Sequence, residues 1–107
     1  MQMNITETAR VIRSKNAGPF ELTLDIIFKS EYWYKYFKNN NIINTKVISS
    51  LYGVNESDIL GIIWFEPANA VKATMVRRIS SGAAGETDIY GAQQHAPLLG
   101  ITFDYSE

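Results

Sequence analysis

The sequence predicts an α+β fold, a mostly antiparallel sheet with two helices on one face. Three observations carry this: a long two-residue alternation at 20–29, two short capped helical patterns at 31–52, and further strand-like runs at 59–65 and 71–78. The order of elements reads β-β-α-α-β-β-loop-β. With 107 residues, the chain is expected to form a single domain over 1–107. A ferredoxin-like sandwich is the economical arrangement of these parts.

The first strand is expected over residues 8–12, followed by a polar turn, Arg13-Ser14-Lys15-Asn16-Ala17-Gly18-Pro19. Phe20, Leu22, Leu24, Ile26 and Phe28 then alternate with Glu21, Thr23, Asp25 and Lys29. Such alternation belongs to a strand with one buried face. Ile27 breaks the polar side, which points to partial cover there too.

Ser30 is placed to cap a helix at 31–39, with Glu31 in its first turn. Trp33, Tyr36 and Phe37 fall on one helical stripe and are expected in the core, leaving Tyr32 and Tyr34 for a protein contact. A second helix fits 45–52, ending at Gly53. Residues 59–65 form a continuous apolar run, the pattern of a central strand covered on both faces. Residues 71–78 alternate again, and 98–105 close the domain as a strand. Between them, 79–97 holds Gly82, Gly85 and Gly91 and shows no period, as functional loops often do.

Composition narrows the chemistry. The formal charge is −1, without the basic excess of a nucleic-acid binder, so no nucleic-acid partner is expected. With no cysteine, disulfides, thiolate catalysis and thiolate metal sites are excluded. Residues 1–10 lack the apolar stretch of a signal peptide, and no run approaches the roughly 18 apolar residues of a membrane span. A cytoplasmic protein without a membrane partner is the expectation. Gly82-Ala83-Ala84-Gly85 lacks the lysine and hydroxyl of a phosphate loop, and no dinucleotide fingerprint is present, so no cofactor is expected.

Two polar segments remain as candidate sites. In Arg13-Ser14-Lys15-Asn16-Ala17-Gly18, two cations, a hydroxyl and an amide share a turn in which Gly18 lets backbone N–H groups face outward. That combination suits a carboxylate or phosphate; the alternative is a solvated turn. The second segment holds Glu86, Asp88, Tyr90, Gln93, Gln94 and His95. His95 is the only histidine and so the one side chain whose ordinary pKa suits proton transfer near neutrality. Glu86 or Asp88 could orient it or act as a base, and Tyr90 could polarise an oxygen. The alternative is a loop histidine satisfied by backbone. One histidine with two carboxylates at this spacing matches no metal motif, so no metal site is expected.

The run Val11-Ile12-Arg13-Ser14-Lys15-Asn16-Ala17-Gly18-Pro19-Phe20, with Thr23-Leu24-Asp25-Ile26, resembles the start of a small bacterial family of domains of unknown function. The run Thr87-Asp88-Ile89-Tyr90-Gly91-Ala92-Gln93-Gln94-His95-Ala96-Pro97-Leu98 resembles the same family. Its members are typically encoded beside, or fused to, AtuA (acyclic terpene utilisation) proteins, which are linked to acyl-CoA and carboxylic-acid catabolism. The chain is also similar to the C-terminal ferredoxin-like domain of AtuA-type proteins. There an Arg-Ser-Gly-Asp-Lys-Gly turn stands at the place of Arg13 to Gly18. Arg13, Ser14 and Gly18 match it, whereas Lys15, Asn16 and Ala17 depart.

The resemblance implies an accessory subunit working with a larger AtuA-type protein, with a small carboxylate or acyl-CoA ligand held by Arg13 and Lys15. Ser14, Asn16, Gly18, Tyr90, Gln93 and Gln94 complete the expected binding set. Two further readings stand beside it: a self-contained lyase or hydratase using His95 with Glu86 or Asp88, and a non-catalytic homo-oligomeric binding module.

Overall fold

The structure is a computed structural model and describes residues 1–18, 20–76 and 95–106. It is α+β, with two helices and two antiparallel sheets. Strands β1 (Gln2–Asn4) and β6 (Thr102–Asp104) form a two-stranded ribbon, with Met3 opposite Phe103. Strands β2 (Ala9–Gly18), β3 (Glu21–Phe28), β4 (Ile59–Phe65) and β5 (Ala70–Val76) form the larger sheet in the order β2-β3-β5-β4. Both β3 and β4 pair antiparallel with β5, so they run parallel to one another with β5 between them. The helices α1 (Glu31–Asn39) and α2 (Thr45–Tyr52) connect β3 to β4, completing a split β-α-β unit.

The alternation in β3 decides which face is covered. Leu22, Leu24, Ile26 and Phe28 are all buried, and so are Val71, Ala73 and Met75 on the neighbouring strand. Against this face lie Tyr34 and Phe37 of α1, Ile43 of the connection, and Ile48 of α2. Each helix starts on a side-chain cap. Ser30 Oγ accepts from the Trp33 N–H at 3.4 Å, and Asn44 Oδ1 from the Val47 N–H at 2.9 Å. Gly53 ends α2 at φ 65°, a left-handed conformation that costs a residue without Cβ little. On the outer side of α1, Glu31 and Lys35 pair at 2.7 Å. That hydrogen bond and charge hold the Glu31 carboxyl below its ordinary pKa and Lys35 above its own. Burial pushes the Tyr52 phenol up.

Phe37 joins the two sheets. Its ring lies 4.7 Å from Phe28 of β3 and 4.9 Å from Phe103 of β6, with no exposed surface of its own. Beside it, Trp33 and Tyr36 pack on Phe103 and Tyr105. The Tyr36 hydroxyl donates to the Asp104 carbonyl at 3.2 Å, and the Tyr32 and Tyr105 hydroxyls lie 2.7 Å apart.

Four expectations are corrected here. Residues 13–18 are strand, not turn: β2 runs through Gly18, and its register with β3 carries Arg13, Ser14, Lys15 and Asn16. Among the described residues the apolar run 59–65 is an edge strand, because β5 inserts between it and β3, and Leu60, Ile63 and Phe65 are exposed. Tyr34 is core, buried with its ring edge-on to Trp64 at 5.7 Å. The closing strand shrinks to β6, because Ala96–Gly100 forms a 3-10 turn ahead of it. The strand β1 is an addition, since its three residues carry no pattern of their own.

The packing makes two expectations. Phe37→Ala removes the ring shared by both sheets and should lower the unfolding free energy by about 3–5 kcal/mol in chemical denaturation. The Tyr34 hydroxyl is buried without a hydrogen-bond partner among the described residues. Tyr34→Phe should therefore raise stability by about 1 kcal/mol in the same measurement, since an unpaired buried hydroxyl costs about that much.

Candidate functional site

The face of the large sheet opposite the helices carries the candidate site. Strand alternation divides the Arg13 segment between the two faces. Ser14 pairs in register with Leu24 and is buried on the helical side, and Asn16 pairs with buried Leu22. Arg13 and Lys15 belong to the open side. Gly18 pairs with Glu21 after a shift in register, with its φ at 158°.

Cross-strand register then assembles one row from four strands: Arg13 opposite Asp25, Asp25 opposite Lys72, and Lys72 opposite Ile63. Arg13 Nε donates to Asp25 Oδ2 at 3.2 Å. The Arg13 side chain is 62% exposed and that of Asp25 17%, so the carboxylate is sheltered while the guanidinium remains open to solvent. Two cations thus flank one carboxylate, and the row is net positive. Lys15 adds a third cation in the next row, where its carbonyl accepts from the Thr23 hydroxyl at 3.1 Å.

On the other side of the charged row lies an apolar one. Val11, Ile27, Ala70 and Phe65 follow one another across the sheet. Arg13, Asp25, Lys72 and Ile63 of the first row, Ile27, Ala70 and Phe65 of the second, and Ala68 line a groove of about 330 Å³. Cations beside an apolar floor suit an anion attached to a hydrocarbon body.

His95 separates from this groove. His95 precedes the 3-10 turn Ala96–Gly100, and its carbonyl accepts the Leu98 N–H at 2.9 Å. Leu98 is fully buried and anchors this turn to the core, and His95 is not part of the groove lining. Glu86, Asp88, Tyr90, Gln93 and Gln94 lie outside the described residues.

A family description matches residues 5–102, nearly the whole chain. The chain belongs to the family described as Domain of unknown function (DUF4387). The match takes in all four strands of the large sheet and both helices, and so the groove of this DUF4387 domain. No curated protein and no solved structure matches it. Among the described residues, no helix is long and apolar enough to cross a membrane.

Sequence reading finds Arg13 and Lys15 but not their companions. Asp25 and Lys72 sit on the polar sides of two alternating strands, where solvent exposure alone explains a charge. The usable signal is Ile27, an apolar residue on the polar side of β3, which marks the groove floor.

The Arg13–Asp25 pair is open to solvent, so its contribution to folding should be small. Arg13→Ala is expected to change the unfolding free energy by less than about 1 kcal/mol, measured by denaturation.

Proposed function

We propose that this chain is an accessory subunit or module that holds an anionic ligand, a carboxylic acid or acyl-CoA, for a larger AtuA-type protein. The observation that carries this reading is the net-positive row Arg13–Asp25–Lys72 beside the apolar residues Ile27, Ile63, Phe65 and Ala70. Arg13 offers a planar fork for a carboxylate or phosphate, while Lys72 and Lys15 act as point charges. The apolar side takes the carbon chain. The split β-α-β unit supports the ferredoxin-like arrangement implied by the resemblance to AtuA-type domains. Asp25 has a positioning role: its bond to Nε fixes the plane of the guanidinium.

Calorimetric titration with a short-chain acyl-CoA and the matching free acid tests the binding. Arg13→Ala and Lys72→Ala should each weaken binding by about tenfold or more, equivalent to about 1.4 kcal/mol. Added salt should weaken binding further, and His95→Ala should leave it unchanged. Unchanged affinity of the Arg13→Ala protein for both ligands removes the anion-binding role. Co-purification with an AtuA-type protein tests the accessory role separately.

A further inference from the structure

We propose that the outer edge of β4 pairs with the same edge of a second copy, antiparallel about a two-fold axis at Ile63, to give a continuous eight-stranded sheet. The argument begins with the contrast between the two edges of the four-stranded sheet. β2 carries Arg10, Arg13 and Lys15, and its register shifts at both ends, devices that discourage strand addition. β4 has none of them over its regular part. Its seven residues, Ile-Leu-Gly-Ile-Ile-Trp-Phe, include no charge and no proline, and among the described residues no strand pairs with its outer side. An apolar edge of this kind is a template for another strand.

The occupant follows from the residues themselves. The one shift in β4 lies between Ile59 and Gly61, leaving 61–65 regular, and the centre of that segment is Ile63. A two-fold at Ile63 uses the whole segment and brings large residues against small ones. Phe65 falls opposite Gly61 of the second copy, Trp64 opposite Ile62, and Ile63 opposite itself. Ile63 and Phe65 are 63% and 56% exposed in the single chain, so each has apolar surface to bury. Gly61 has open space where a Cβ would be, and among the described residues no contact demands a glycine there. A strand glycine weakens its strand unless another group approaches closely, and an aromatic ring from the facing strand is such a group.

Charge agrees. Asp58 and Glu66 flank the strand, and antiparallel pairing about Ile63 sets Glu66 opposite Leu60 and Asp58 opposite Ala68 of the other copy, so no carboxylates meet. The two Lys72 side chains stand three strand spacings apart, about 14 Å, beyond the screening length at physiological salt. Pairing β4 with β2 of another copy would instead set the apolar edge against a charged, bulged one and leave the assembly open-ended. The two-fold closes it.

The chain has no cysteine, which makes a direct test clean. Cross-strand partners have Cα atoms about 4.5–5.5 Å apart, within disulfide reach. Ile63→Cys should therefore give a disulfide-linked dimer on mild oxidation, much faster than a control Thr45→Cys on exposed α2. Light scattering of the unmodified chain should give twice the chain mass. Ile63→Lys, at an exposed position, should give a folded monomer by circular dichroism and lose exchange protection only of those 61–65 amides that face away from β5. Three results would overturn the proposal: a monomeric chain with no preferential Ile63→Cys linkage, a monomer in which the outward-facing β4 amides are protected, or a dimer that survives Ile63→Lys while the Ile63→Cys chains stay unlinked. The second assigns the edge to the chain's own residues, and the third places the dimer interface elsewhere. Ile63 and Phe65 belong to both surfaces, but none of these readouts involves an anionic ligand, so failure of pairing is distinguishable from failure of binding.

Discussion

One phenyl ring sets the positions of most other parts. Phe37 lies between Phe28 of the large sheet and Phe103 of the ribbon, and α1 must run where its ring can reach both. That placement presents Tyr34 to Trp64 on one side and Trp33 and Tyr36 to Tyr105 on the other. With both helices and the ribbon gathered on one side, no other described element covers the far face of the sheet. The groove exists because the core is one-sided.

How far the fold is legible in the sequence depends on what each pattern reports. Alternation in β3, the cap at Ser30 and the glycine at Gly53 are local signals, and both helices and that strand emerge with their bounds nearly intact. β2 reads too short because Arg13, Ser14, Lys15, Asn16 and Gly18 are the residues turns also use. In a strand with one open face and one face meeting small buried polar groups, turn chemistry and strand chemistry look alike. The apolar run of β4 reads as central because absence of charge is visible in sequence, while the number of neighbouring strands is not. Tyr34 escapes for a related reason. A single helical stripe assumes one partner surface, and α1 has two.

The candidate site is legible only in part. Arg13 and Lys15 stand out in sequence, but their partners come from β3, β4 and β5, at sequence separations that no local pattern encodes. What joins Arg13, Asp25, Lys72 and Ile63 is register alone. Shifting either neighbouring strand by one residue would turn the charges toward the core and the apolar face outward, so the burial of Leu24, Ile26 and Ala73 also fixes the geometry of the charged row.

The ribbon has a consequence for how the chain comes to be folded. β1 leaves the ribosome well before its partner β6, since Gln2 and Asp104, which pair, are 102 residues apart. Between those two moments Phe37 can rest on Phe28 but lacks its contact with Phe103. The nascent protein therefore carries an uncovered aromatic surface on α1 until Phe103 arrives, and one short, late strand decides when that surface leaves water.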